Sequence, residues 1–144
     1  MTNEQNNGDD KYLVTKFVIR PENLERQGRS FSSLLLDRRC SVCKSTLAQE
    51  ERQGSDITVK KHLEQIGNHC SKGQDFIYPG LPLNEAMFRI LLSGGNRPME
   101  LGKIYDALED RWSDASSRWT PSPDRLFRML SRDMFYGIAA VGGS

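Results

Sequence analysis

Residues 40–43 read Cys-Ser-Val-Cys, and residues 62–70 read His-Leu-Glu-Gln-Ile-Gly-Asn-His-Cys. These two stretches hold every cysteine and every histidine of the chain, three and two respectively. A Cys-x-x-Cys pair lets two thiolates reach one ion from a tight turn, and a helix or its end commonly supplies the remaining ligands. One bound zinc ion is the economical explanation. The expected ligands are Cys40, Cys43, His62 and Cys70, with His69 as the substitute for His62 or Cys70. A continuous helix would hold residues 62 and 70 about 12 Å apart along its axis, at about 1.5 Å per residue. Gly67 is therefore read as the helix stop that lets Cys70 return to the ion that His62 reaches.

Four strong ligands close such a site, whereas a catalytic zinc keeps a position open for water. A redox role for Cys40 and Cys43 needs a βαβ setting that the pattern lacks. Gly94-Gly95 is not followed by the Lys and Ser/Thr of a phosphate loop. The expectation is a binding protein without enzymatic activity or a small-molecule substrate.

Working outward, 144 residues make one ordinary domain or two small ones, and a module of about 40 residues usually needs a metal or disulfide to fold alone. An odd number of cysteines argues against a disulfide framework and for a reducing compartment. Lys plus Arg is 20 against Asp plus Glu at 19, a net charge of +1, so any attraction to nucleic acid must come from a local basic face. No apolar run approaches the length of roughly 18 needed for a membrane span. The opening MTNEQNNGDD lacks the basic-then-apolar order of a signal peptide. A cytoplasmic (nucleoid-associated) or nuclear protein is expected.

Residues 1–10 read as a disordered tail. Residues 12–19 are β-branched and aromatic and close at Pro21, which predicts a strand able to pair with a later one. Residues 22–38 are helix-like in their second half, with Gly28 weakening the middle. Residues 44–56 read as a loop or frayed helix. Asp56 is the expected N-cap of a helix carrying Val59, His62, Leu63 and Ile66. The stretch 71–82, with two Pro and two Gly, reads as a connector.

Beyond it, Leu83, Met87, Ile90 and Leu91 share one helical face that Gly94-Gly95 ends. Pro98 is the expected start of a second helix, with Leu101, Ile104, Tyr105 and Leu108 at helical spacing. Ser122-Pro123-Asp124 combines an N-cap, a proline at the first helical position and an acid in the first turn, so a third helix starts there. Phe135 to Val141 predicts a hairpin arm or a trailing strand. Three helices followed by β structure is the order of a winged helix.

Residues 82–136 resemble the HARE-HTH winged helix. The resemblance is carried by Asn84-Glu85-Ala86, by Gly95-Asn96-Arg97-Pro98-Met99, by the turn Trp119-Thr120-Pro121, and by Leu126-Phe127-Arg128-Met129-Leu130-Ser131-Arg132-Asp133. It implies a winged fold that binds DNA or transcription machinery without catalysis. The spacing Cys40-x2-Cys43-x18-His62-x7-Cys70 is also similar to the baculoviral inhibitor-of-apoptosis repeat. The aromatic and acidic residues of that repeat are absent here, so the similarity implies a ligand order and no peptide-binding role.

The expected architecture is mainly α with small β elements: a tail (1–10), a zinc-binding module (11–72), a connector (73–82) and a winged helix-turn-helix domain (83–141). Arg125, Arg128 and Arg132, at i, i+3 and i+7, form a stripe on the third helix suited to phosphates and guanine edges, with Arg118 nearby. Yet residues 81–144 carry eight basic and eight acidic side chains, so the unit is neutral. The expected function is DNA-associated regulation of transcription or chromatin. The alternative is a protein-interaction adaptor or a small subunit of a nucleoprotein complex, contacting partners through Phe76-Ile77-Tyr78 and Phe135-Tyr136.

Overall fold

The computed structural model describes residues 11–45, 58–112 and 120–141. Phe17 and Ile19 alternate inward along β1 (Lys16–Ile19), which forms the middle strand of a three-stranded antiparallel sheet. On one side Lys16 and Phe17 face Glu100 and Met99 of β2 (Met99–Glu100). On the other, Phe17, Val18 and Ile19 face Ala140, Ala139 and Ile138 of β3 (Ile138–Ala140). The segment after Phe135 is thus a trailing strand paired with the N-terminal part of the chain. The expected strand start at Tyr12 is displaced. Residues 11–13 are helical, Thr15 N–H closes a turn on Tyr12 carbonyl at 3.1 Å, and the Tyr12 ring packs on Phe127 at 4.7 Å.

The helices follow local rules with two exceptions. Pro21 opens α1 (Pro21–Arg26), and Gly28, at φ 73°, turns the chain into α2 (Phe31–Asp37), capped by the Ser30 hydroxyl accepting from Ser33 N–H at 3.2 Å. Thr58 caps α3 (Val59–Asn68) by accepting from Lys61 N–H at 3.1 Å. The expected cap Asp56 and most of the stretch 44–56 lie outside the described residues. Gly67 does not stop α3. A Cβ there would lie 3.1 Å from the Ser93 carbonyl oxygen, so Gly67 is a contact point where α3 crosses α4 (Leu83–Ser93). Nor does Pro98 open a helix: Leu101 N–H donates to Thr15 carbonyl at 2.8 Å, and the preceding pair joins the sheet as β2 before α5 (Leu101–Trp112) begins. Sheet pairing overrides the local helix signal there. Pro123 starts α6 (Pro123–Ser131) as its sequence requires.

One apolar core runs from Phe17 of β1 through α3, α4 and α5 to Leu130 of α6 and Ile138 of β3. Stretch 71–82 is packed down on it, with Phe76, Ile77 and Leu81 buried. Arg89 Nη1 donates to Phe76 carbonyl at 2.9 Å, and Arg111 Nη2 donates to Ser71 carbonyl.

Two polar links position the rest. Asn96, in the left-handed region at φ 55°, lies beside the end of β1. Its Oδ1 accepts from Ile19 N–H and its Nδ2 donates to Ile19 carbonyl, both at 2.9 Å, so the side-chain amide replaces a missing strand neighbour. Glu85 of α4, 8% exposed, accepts from Arg38 Nε and Nη2 at 2.9 Å each and from Arg89 Nε at 2.8 Å. Burial opposes its ionisation, but these guanidinium groups outweigh burial and hold the carboxyl below the ordinary range.

Asn96→Ala leaves Ile19 N–H and C=O without their partner and is expected to lower unfolding free energy by about 2–3 kcal/mol in urea titration. Glu85→Ala strands two cations and is expected to lose about 3–5 kcal/mol. Because the folded carboxyl ionises more readily than the unfolded one, its stabilisation is complete above the ordinary carboxylate value of about 4.3. It disappears as the pH falls from there through the lower folded value. Stability measured against pH should therefore decline less steeply in that acid window for Glu85→Gln than for the wild type.

Candidate metal centre

Arg38 caps the C-terminus of α2, and Cys40 follows at the start of a helical turn over residues 41–45, where Lys44 N–H donates to Cys40 carbonyl at 2.9 Å. Cys40 and Cys43, three positions apart at a helix start, consequently face the same way. The opposing ligands come from the far end of α3. His69 is its C-cap with φ −130° and ψ −62°, and Cys70 begins a single 3-10 turn, Cys70–Lys72. Leaving helical geometry at His69 lets two adjacent residues point at one centre, which a continuing helix forbids.

The ligand atoms of Cys40, Cys43, His69 and Cys70 all lie within 4.8 Å of one another. His69 Nδ1 is 3.3 Å from Cys40 Sγ and 3.2 Å from Cys43 Sγ, and Cys40 N–H donates to Cys70 Sγ at 3.2 Å. A tetrahedral ion with bonds of about 2.0–2.3 Å sets its ligand atoms roughly 3.4–3.8 Å apart, so small adjustments suffice to close the cage. No disulfide links the three cysteines. The cluster is geometrically able to hold a metal ion.

Ionisation of the thiols is strongly divided. For Cys40 burial opposes the thiolate, but hydrogen bonds from Cys43, Cys70 and His69 outweigh it and bring the group down to about 7. Burial pushes the Cys70 thiol up to about 12, against the lowering effect of the Cys40 N–H. Crowded sulfurs that resist joint ionisation become thiolates together only with a cation among them.

Of the expected ligands, the structure thus brings together Cys40, Cys43 and Cys70 with His69, the alternative histidine, and leaves His62 outside. Since α3 continues through Gly67, His62 sits about 10 Å below His69 along the axis. It is 4% exposed, and its Nδ1 accepts from Arg39 Nη1 at 3.2 Å. The sequence signal for His69 is the Gly67-Asn68-His69 ending of α3, where the C-cap turns the chain. Arg125 and Arg128 on α6 and Arg132 at its C-cap are exposed, opposite buried Leu126 and Leu130, while Arg118 lies outside the described residues. Asp124 pairs with Arg128 at 3.5 Å. Of the expected contact clusters, Phe76 and Ile77 are buried, Tyr78 and Phe135 are exposed, and Tyr136 is half-buried.

No protein-family model, curated protein or solved structure matches this chain.

Titration with cobalt(II) is expected to give thiolate-to-metal charge-transfer absorption saturating at one equivalent. Ser in place of Cys43 or Cys70 should abolish or strongly weaken it. His69→Ala should alter the visible ligand-field bands, and His62→Gln should retain both the bands and the stoichiometry.

Proposed function

We propose that the chain is a non-enzymatic DNA-associated regulator of transcription or chromatin, in which a zinc centre organises the N-terminal half and a winged-helix-like unit meets DNA through α6. Zinc is the assignment that the donor set favours: three thiolates and one imidazole in tetrahedral reach form a closed structural site, with no position left for a reacting water. The order α4, β2, α5, α6, β3 supports a winged-helix reading. The strand beside β3 comes from the N-terminal side, as β1, instead of from a hairpin.

The observation that carries the DNA reading is the solvent-facing row formed by Arg125 and Arg128 on a helix whose opposite side is buried and by Arg132 at its C-cap. Such a helix can enter a major groove without disturbing the core. Asp124 partly neutralises Arg128, leaving Arg125 and Arg132 without an ion pair among the described residues. No helix among the described residues is long and apolar enough to cross a membrane. The proposed setting is the cytoplasm, with the nucleoid, or the nucleus.

A second reading, docking on a protein partner within a nucleoprotein complex, is favoured by Met134 and Phe135, 85% and 53% exposed. Asp133 holds this loop: its carboxylate accepts from Phe135, Tyr136 and Ile138 N–H at 3.2, 3.1 and 2.9 Å. A loop that presents two large apolar side chains on a fixed backbone suits a contact surface.

In retardation assays at two salt concentrations, reversing Arg128 and Arg132 to Glu is expected to weaken DNA binding at least tenfold and to flatten its salt dependence. Equal binding by wild type and variant would remove the DNA reading. Loss of partner co-purification on Phe135→Ala, with DNA binding absent in both proteins, would put the docking reading in its place.

A further inference from the structure

Arg39, the residue directly before Cys40 of the cluster, is buried and forms no ion pair among the described residues. It is 6% exposed. With Cys40 and Cys70 it lines a cavity of about 270 Å³. Its Nη1 donates to His62 Nδ1 at 3.2 Å, and its Nε is buried without a hydrogen-bond partner. Arg38 and Arg89, which line the same cavity, are both committed to Glu85. Asp37 and Asp75 border it too, but neither forms an ion pair with Arg39.

Arginine stays protonated at any ordinary pH and has donors only, so His62 Nδ1 must be the acceptor and the imidazole facing it is in an unprotonated-Nδ1 state. The pair therefore carries a full positive charge out of water, which is strongly unfavourable unless an anionic centre lies close by. A divalent ion with three thiolates and one neutral imidazole carries a single net negative charge.

We propose that Arg39 is the counter-ion of the Cys40–Cys43–His69–Cys70 metal centre, held in place by His62. This rests on the metal reading above, and it gives His62 a role: the histidine orients the charge that balances the metal–thiolate set instead of ligating it. Arg39 is thus a positioning and affinity-setting residue for the metal and touches no substrate.

The test is competition for zinc between the full-length protein and a chromogenic chelator at neutral pH, with cobalt(II) spectra as a check on the ligands. Arg39→Met is expected to weaken zinc affinity by roughly tenfold to a hundredfold, as loss of groups behind the ligands does elsewhere. Its cobalt bands should keep their positions, because all four ligands remain. Arg39→Lys should restore most of the affinity.

Zinc binding by Arg39→Met within about twofold of wild type overturns the proposal while leaving the metal reading intact. Absence of zinc binding by the wild type overturns both. If Arg39→Met does not fold, Arg39→Gln, which can still donate to His62, makes the same comparison. If both uncharged variants fail to fold, rescue by Arg39→Lys supports the charge, and failure of Arg39→Lys as well overturns it.

Discussion

The carboxylate of Glu85 is where the two halves of the molecule are tied together. It sits on α4, the most thoroughly buried helix, and receives three hydrogen bonds from two guanidinium groups. Arg38 stands at the end of α2, two residues before Cys40, so this bond places the first pair of cluster cysteines relative to α4. Arg89 reaches on to the Phe76 carbonyl and so fastens the chain that leaves Cys70. Both sides of the Cys/His cluster are thereby referred to a single anion. Two cations sharing one largely dehydrated carboxylate form a network that is favourable only when complete, which couples the local geometry of distant segments.

Around that junction the N- and C-terminal parts of the chain interlock. β1 lies between β2 and β3, and Asn96 extends the hydrogen bonding of Ile19 beyond the sheet. The Cys/His cluster joins the turn after α2 to the end of α3. The surfaces left over are α6, with its arginines, and the Asp133 loop, with Met134 and Phe135, and both lie on the sheet side of the core. The Cys/His cluster and these exposed side chains thus lie on different parts of one framework.

Much of the local structure was legible residue by residue. Pro123 after Ser122 marked the start of α6, the Leu83, Met87, Ile90 and Leu91 spacing marked α4, and the cysteine spacing marked three of the four cluster residues. Where local pattern and structure differ, a long-range contact is the cause. Gly67 and Pro98 carry strong local signals, a helix stop and a helix start, yet neither acts that way. Gly67 is small because Ser93 approaches it, and Pro98 precedes a strand because Thr15, more than eighty positions earlier in the chain, offers its carbonyl to Leu101.

The choice of histidine shows the same division. Residue types and their spacing determined that a soft-donor cluster, several amphipathic helices and an arginine row exist, because ligand chemistry and helical periodicity are properties of near neighbours in sequence. Whether His62 or His69 joins the thiols was decided only by α3 continuing through Gly67, and that depends on α4 packing against it. The strand paired with β3 was likewise settled by tertiary structure. Strand pairing and helix crossing are contacts between residues far apart in the chain, and no local pattern encodes which partner completes them.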